Sequence, residues 1–350
     1  RIMRAEWLKY RLSFRFTAIT SRERLSYKDT YYIKAWNESC PEVIGIGEAG
    51  LFRGLSSDDT PEYENILTDI CKGINRYANN TESLSEYPSI RFGIESAIRD
   101  LMNGGNRCLF PSEWTSGKIP MTINGLIWMG DKATMRSRID QKLKEGFSCI
   151  KVKIGGIDFN QELELLSYIR NQAPDIEIRL DANGAFRAED ALSRLDSLSR
   201  FRIHSIEQPI RQGQYDKMSH ICSQSPIPIA LDEELIGLND NDSRIKMLET
   251  IRPHYIILKP TLTGGFTASD EWIDLAKERG IGWWATSALE SNIGLNAIAQ
   301  WIASHKPEMP QGLGTGQLYD NNIPSPLTLN GEKLWYDPDN NWDMQHIMHL

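Results

Sequence analysis

The sequence predicts an α/β chain in which a modified (β/α)7β TIM-like barrel carries an α+β capping domain. Beyond Pro120, short apolar strands alternate with amphipathic helices, eight strands against seven helices. That count, over about 200 residues, fits a (β/α)8 barrel in size. Before Pro120 the segments are irregular, with alternating strands first and helices after. No G-x-G-x-x-G follows the first strand of the alternating part, which disfavours the competing doubly wound open sheet. The expected division is residues 1–118 for the cap, residues 119–319 for the barrel, and a tail at 320–350 that returns to the cap.

Each element has its own signal. LKYRLSFRF (8–16) alternates like an antiparallel strand, and YYIKAW (31–36) repeats the pattern after the polar SRERLSYKD. VIGIGEAG (43–50) completes a three-stranded meander. YENILTDICKGINRYAN and SIRFGIESAIRDLMNGG have helical spacing. The barrel strands are MTINGLIW, CIKVKIG, EIRLDAN, IHSIEQP, PIALDEEL, YIILKP, GWWATSALE and QGLGTGQLY. LTLNGEKLWYDP in the tail reads as a strand pair joining the first module.

Composition narrows the function classes. A formal net charge of -8, with no basic stripe, argues against nucleic acid as a partner. The first twenty residues carry charges throughout, and no window approaches a membrane span, so neither a signal peptide nor a membrane partner is expected. The chain opens on Arg1 rather than Met, so a trimmed N-terminus is expected. Cysteines at 40, 71, 108, 149 and 222 show no C-x-x-C pair. Buried, reduced thiols in a cytoplasmic protein are the expectation. The sequence leaves the oligomeric state open.

In a parallel barrel the chemistry sits at the C-terminal ends of the strands. Lys151 and Lys153 occupy the second strand and point to one face, because side chains on a strand alternate. Asp181, Glu207 and Asp232 end the third, fourth and fifth strands, and Lys259 ends the sixth. The carboxylates are spaced by 26 and 25 residues, one βα repeat each, so they reach similar height. Three carboxylates aimed at one place need a cation. All-oxygen ligation without His or Cys suits Mg²⁺, or Mn²⁺, better than Zn²⁺. A lysine among cations is pushed toward its neutral form and becomes a usable base. The expected chemistry is abstraction of a proton α to a carboxylate in a small-molecule substrate, with the metal and a charged lysine stabilising the enediolate.

This constellation resembles the enolase superfamily, and the resemblance covers nearly the whole chain. K-x-K on the second strand and Lys on the sixth match the muconate-lactonizing-enzyme subgroup. The histidine bases of the mandelate-racemase subgroup are missing, because the histidines at 204, 220, 254, 305, 346 and 349 fall at strand starts, on helices or in the tail. LKPTLTGG, TSALESNIG and GLGTGQLYDN are similar to the o-succinylbenzoate synthase family. Dipeptide epimerases carry an Asp-x-Asp after the eighth strand, whereas here only Asp320 stands there. Phe186 stands where relatives often have Trp. The resemblance implies a syn dehydration of 2-succinyl-6-hydroxy-2,4-cyclohexadiene-1-carboxylate to o-succinylbenzoate, in menaquinone synthesis. It makes Lys153 the acid/base and Lys259 the charge that faces the enediolate. N-succinylamino acid racemase, dipeptide epimerase and cycloisomerase activities are the alternatives on the same machinery, and an inactive barrel acting as a binding protein is a third.

The remaining candidates each have two readings. Lys151 either depresses the pKa of Lys153 or serves as a structural partner of Glu234 or of neighbours of Arg179. Asn183 and Glu233 stand beside ligands and support them, or serve only the local fold. Ser287, Ser291, Gly264 and Gly265 bind a substrate carboxylate, or are ordinary loop residues. SRERLSYKD folds over the barrel mouth with Arg22 or Arg24 on a carboxylate, or is a solvated turn. Trp283 and Trp284 read as barrel packing.

Overall fold

The computed structural model describes residues 2–348 of the 350. Strands β1 (Met3–Ile19), β2 (Arg24–Asn37) and β3 (Cys40–Ala49) form an antiparallel meander in that order. Helices α1 (Tyr63–Lys72) and α2 (Pro88–Met102) follow, and α2 lies on the sheet. Gly45 and Gly47 of β3 make that approach possible. A Cβ on Gly45 would stand 2.1 Å from the Ala97 carbonyl, and one on Gly47 2.0 Å from that of Gly93. Ile33, Ala35 and Ala49 of the sheet then bury against Ile90, Ile94 and Ala97, each isoleucine contributing about 2 kcal/mol of apolar burial.

The chain next lays down β4 (Met121–Thr122), β5 (Gly125–Ile127), α3 (Lys132–Lys144), β6 (Cys149–Lys153), α4 (Phe159–Gln172) and β7 (Glu177–Asp181). It continues through α5 (Ala188–Ser199), β8 (Ser205–Glu207), α6 (Tyr215–Gln224), β9 (Ile229–Leu231), α7 (Asn241–Ile251) and β10 (Tyr255–Leu258). The short α8 (Pro260–Thr263) precedes α9 (Gly265–Glu278), β11 (Gly282–Ala285) and α10 (Asn292–Ser304). Strands β5 to β11 form one parallel sheet in sequential order. The curled sheet is closed by Gln311 and Gly312, which bridge in parallel to Ile123 and Thr286. The outer helices bury single stripes, as Ala191, Leu195 and Leu198 do on α5.

Four expectations change. MTINGLIW is not one strand: β4 joins another sheet and β5 opens the barrel, while the amides of Ile123 and Asn124 bond to Glu332 and Gln311. The eighth strand shrinks to two bridging residues, because the glycine-rich run after it turns toward the barrel mouth. The tail does form a pair, β12 (Leu327–Asn330) and β13 (Lys333–Tyr336), but it pairs with β4 rather than the cap sheet. Flanking residues make the return instead, through Asn321 to the backbone of Arg11 and Ser13 and through Ile323 packed on Tyr32. Finally, Cys71, Cys149 and Cys222 are buried, but Cys40 and Cys108 are only half-buried.

Candidate active site

Parallel register lines up the chemistry. Lys153, Asp181 and Glu207 are direct neighbours across β6, β7 and β8, so they form one inward row. Asp232 lies two residues beyond Ala230, the partner of Glu207, and therefore on the same face. Lys151 pairs with Arg179 one layer lower. Lys259 follows β10 and caps α8, its carbonyl accepting from the amides of Leu262 and Thr263. Strands β6 and β10 are four places apart in the curled sheet, so the two lysines face each other. Both line one cleft, together with Lys151, Asn183 and Trp128.

The side chains are buried and interlocked. Lys153 Nζ stands 3.1 Å from Asp181 Oδ2 and 3.3 Å from Asn183 Oδ1, and 5.3 Å from the ring centroid of Trp128. Lys151 Nζ lies 3.3 Å from Glu207 Oε2 and 3.9 Å from Asp181 Oδ2. Lys259 Nζ lies 2.7 Å from Asp232 Oδ2. Burial pushes the Asp181 carboxyl up, but Lys153, Lys151 and Lys259 together hold it down at about 2. Burial, with Asp181 and Asp232 beside it, pushes Glu207 up to about 7 against the pull of Lys151. Burial and the same two aspartates push Glu233 up to about 8. For Lys259 burial acts downward, yet Asp232 and Glu233 raise it overall.

Among the described residues no three carboxylate, His or Cys side chains are already closed to metal-ligating distance. The three ammonium groups stand between the carboxylates instead. The donor set nevertheless fits a divalent cation. Glu207 Oε1 and both Glu233 oxygens are buried with no hydrogen-bond partner, and the raised Glu207 and Glu233 mark a cluster short of positive charge.

The other sequence candidates divide. Asn183 is in place: its φ of 47° turns the chain so that its amide donates to Asp181 Oδ1 and its side chain meets Lys153. Ser287 lines the cleft, donating to Glu290 Oε1 at 2.7 Å. Arg22 lines it too, beside Glu23, on a turn tied to the barrel by Ser21 Oγ donating to the Ala182 carbonyl. Arg24 lines a neighbouring surface groove instead. Ser291 does not reach the cleft, because it caps α10 and is held by Glu48 and the Tyr32 hydroxyl. Gly264 and Gly265 do not reach it either. They turn α8 into α9 with φ of 107° and 89°, and the free amide after them, on Phe266, goes to Glu95 of α2. Lys151 does not pair with Glu234, which accepts from Gln208 and the Gly213 amide. Trp284 packs inside the barrel against Arg179, and Trp283 packs outside on Trp301. His204, His220, His254 and His305 lie away from the cleft, and His349 lies outside the described residues.

Sequence reading missed several contributors. Gln208, fully buried after β8, accepts the amides of Asp232 and Glu234 and so fixes the loop that presents Asp232. Its position directly after Glu207 was the available signal. Trp128, Phe52, Leu55 and Leu289 supply apolar walls. Phe52 and Leu55 come from a cap loop with no periodicity to announce it.

Comparison with known proteins agrees with this geometry. Residues 134–334 match the family described as enolase C-terminal domain-like. An o-succinylbenzoate synthase from Desulfotalea psychrophila is 46% identical, over 93% of this chain and 98% of its own. The crystal structure of MenC from the same organism superposes with a TM-score of 0.81 at 43% identity, covering 95% of this chain and 99% of that one. A dipeptide epimerase from Enterococcus faecalis, crystallised with Mg and L-Leu-L-Tyr, has a TM-score of 0.81 at 18% identity, over 97% of this chain and 99% of its own. That last likeness speaks for the fold alone.

Proposed function

The chain belongs to the o-succinylbenzoate synthase family of the enolase superfamily, and on that footing we propose that its cleft performs the syn dehydration of 2-succinyl-6-hydroxy-2,4-cyclohexadiene-1-carboxylate to o-succinylbenzoate, in menaquinone biosynthesis. The observation that carries the reading is Lys153 facing Lys259 across the row Asp181, Glu207 and Asp232. No helix among the described residues is long and apolar enough to cross a membrane. We take the protein for a cytoplasmic enzyme of a small carboxylate substrate.

Lys153, in its neutral form, takes the proton α to the ring carboxylate. The electron pair passes into the carboxylate as an enediolate, which the ammonium of Lys259 faces from the other side. The bond to the departing hydroxyl then breaks and the ring double bond forms. Lys153 returns its proton, so that water leaves and the aromatic product remains. Asp181, Glu207 and Asp232 would hold the divalent cation, Mg²⁺ or in its place Mn²⁺, which supplies further positive charge for the enediolate when bound. Asn183 positions Lys153 and Asp181, Glu233 supports the loop beside Asp232 and Lys259, and Lys151 balances Glu207. Arg22 is the candidate for a substrate carboxylate, while Ser287, its hydroxyl proton already given to Glu290, shapes the cleft wall.

The test is turnover of the cyclohexadiene with and without Mg²⁺, beside Lys153→Ala and Lys259→Ala. Metal-dependent aromatisation abolished by both substitutions is the expected result. Folded, Mg²⁺-loaded protein without turnover would overturn the reading. N-succinylamino acids and dipeptides would then be assayed by α-deuterium exchange from solvent. Asp320, the acidic residue that directly follows the eighth strand, is an exposed partner of Arg15, which gives the epimerase reading no support.

A further inference from the structure

Three segments remote from one another in sequence converge beneath a single stretch of the cleft wall. Ser287, Ala288 and Leu289 line the cleft. Leu289 has a φ of 65°, a left-handed backbone that leucine rarely adopts. Something must hold it there. Lys28, a buried residue of β2 in the cap, donates from Nζ to two consecutive carbonyls of this wall, Ala288 at 3.0 Å and Leu289 at 3.2 Å. The Tyr319 hydroxyl, from the far end of the chain, donates to the same Leu289 carbonyl at 2.5 Å. On the other side Glu290 accepts from Ser287 Oγ and from the Ala288 amide, both at 2.7 Å, and from Thr261 Oγ1 at 2.6 Å. Thr261 stands two residues after Lys259.

We propose that Lys28 is a positioning residue for substrate binding, which fixes the wall Ser287–Leu289 from the cap. A lysine is suited to the task. Its three donors on one atom can serve two adjacent carbonyls at once. Its charge is answered by Glu290 and Glu48, which lie close to it. Burying an ammonium without such partners is costly, so the group is retained by its contacts with the wall. Lys28 touches none of Lys153, Asp181, Glu207, Asp232 and Lys259, so its loss changes how substrate is held rather than how protons move. The inference rests on the cleft being the substrate site.

The experiment is steady-state kinetics of Lys28→Met on the cyclohexadiene substrate, beside wild type, Lys28→Arg and Tyr319→Phe. In Lys28→Met, KM is expected to rise about tenfold while kcat falls less than about threefold, a split that a loss of general stability does not produce. Lys28→Arg, which keeps donors for both carbonyls, restores part of the KM. Tyr319→Phe raises KM by a smaller factor, and it alone decides the question if Lys28→Met does not fold. The double variant rises less than the product of the single effects, because both groups serve the Leu289 carbonyl. Unchanged KM in Lys28→Met and in Tyr319→Phe overturns the proposal, as does a loss confined to kcat. A wild type that does not turn over this substrate refutes the synthase reading instead, and is told apart by that control.

Discussion

Lys259 Nζ lies 2.7 Å from Asp232 Oδ2, with the lysine side chain 15% exposed and the aspartate 3%. One ammonium therefore serves two purposes. It neutralises a buried carboxylate in the resting protein, and it presents charge to the cleft. Lys259→Met is expected to lower kcat by about a hundredfold to a thousandfold, since interactions aimed at a developing oxyanion are worth about 3 to 4 kcal/mol each. It also leaves Asp232 without its partner, so the metal-free protein should lose about 3 kcal/mol of stability. Single-turnover kinetics and urea unfolding read the two effects separately. A variant with full activity would remove Lys259 from the mechanism.

Mg²⁺ should raise the melting temperature of the protein, because a ligand that binds only the folded state stabilises it by mass action. The orphaned oxygens of Glu207 and Glu233 mark where positive charge is lacking. At an Mg²⁺ concentration a hundred times its Kd the gain is about 2.7 kcal/mol. Asp181→Asn, Glu207→Gln and Asp232→Asn should each abolish most of that gain. Thermal scans against Mg²⁺ and Mn²⁺ check this, and a gain that persists in all three variants would place the cation elsewhere.

Glu162 links stability to pH. It is buried on α4 and accepts from the Gly155 amide at 2.7 Å, steadying the turn after Lys153. Burial pushes its carboxyl up to about 7 from 4.5, against the pull of the Gly155 and Gly156 amides. A folded-state value above the unfolded one means the protonated form is the stabilised form. The contribution is therefore whole below about pH 4.5 and is lost as pH rises through 7, by about 3 kcal/mol in the limit. Glu162→Gln cannot ionise and keeps an acceptor. Its stability relative to wild type should climb between pH 5 and pH 8, measured by denaturant midpoints. A difference that stays flat with pH would refute the assignment.

What could be read from the chain and what could not divides along a physical line. Lys153, Asp181, Glu207 and Asp232 were legible because strand alternation and the βα repeat are local properties, and register converts them directly into a shared face. Lys259 was legible for the same reason. Ser287 and Ser291 looked alike in TSALESNIG, yet one faces the cleft and the other the cap. What separates them is Glu48, some 240 residues earlier, which no local pattern connects to them. Lys28 and Phe52 were illegible in the same way, because β2 and the cap loop after β3 meet the barrel only in three dimensions. The hairpin at 327–336 was recognised as a pair, but its partner β4 lies inside a segment that read as one continuous strand.

That division between serines and glycines can be measured. Ser291→Ala removes the cap of α10 and the donor to buried Glu48, so about 2 to 3 kcal/mol of stability should be lost. Gly265→Ala places a Cβ 2.2 Å from Glu95 Oε1 at a φ of 89°, a backbone region that alanine resists, and should cost about 2 kcal/mol or more. Neither residue lines the cleft, so KM should stay within about twofold of wild type in both, as expected where no substrate contact is removed. Ser287→Ala is the contrast. It removes a hydroxyl from the cleft wall and a donor to Glu290, so KM should rise several-fold with a smaller loss of stability. Measuring KM and the unfolding midpoint on all three variants separates the roles. A raised KM with unchanged stability in Ser291→Ala or Gly265→Ala would return those residues to the substrate site.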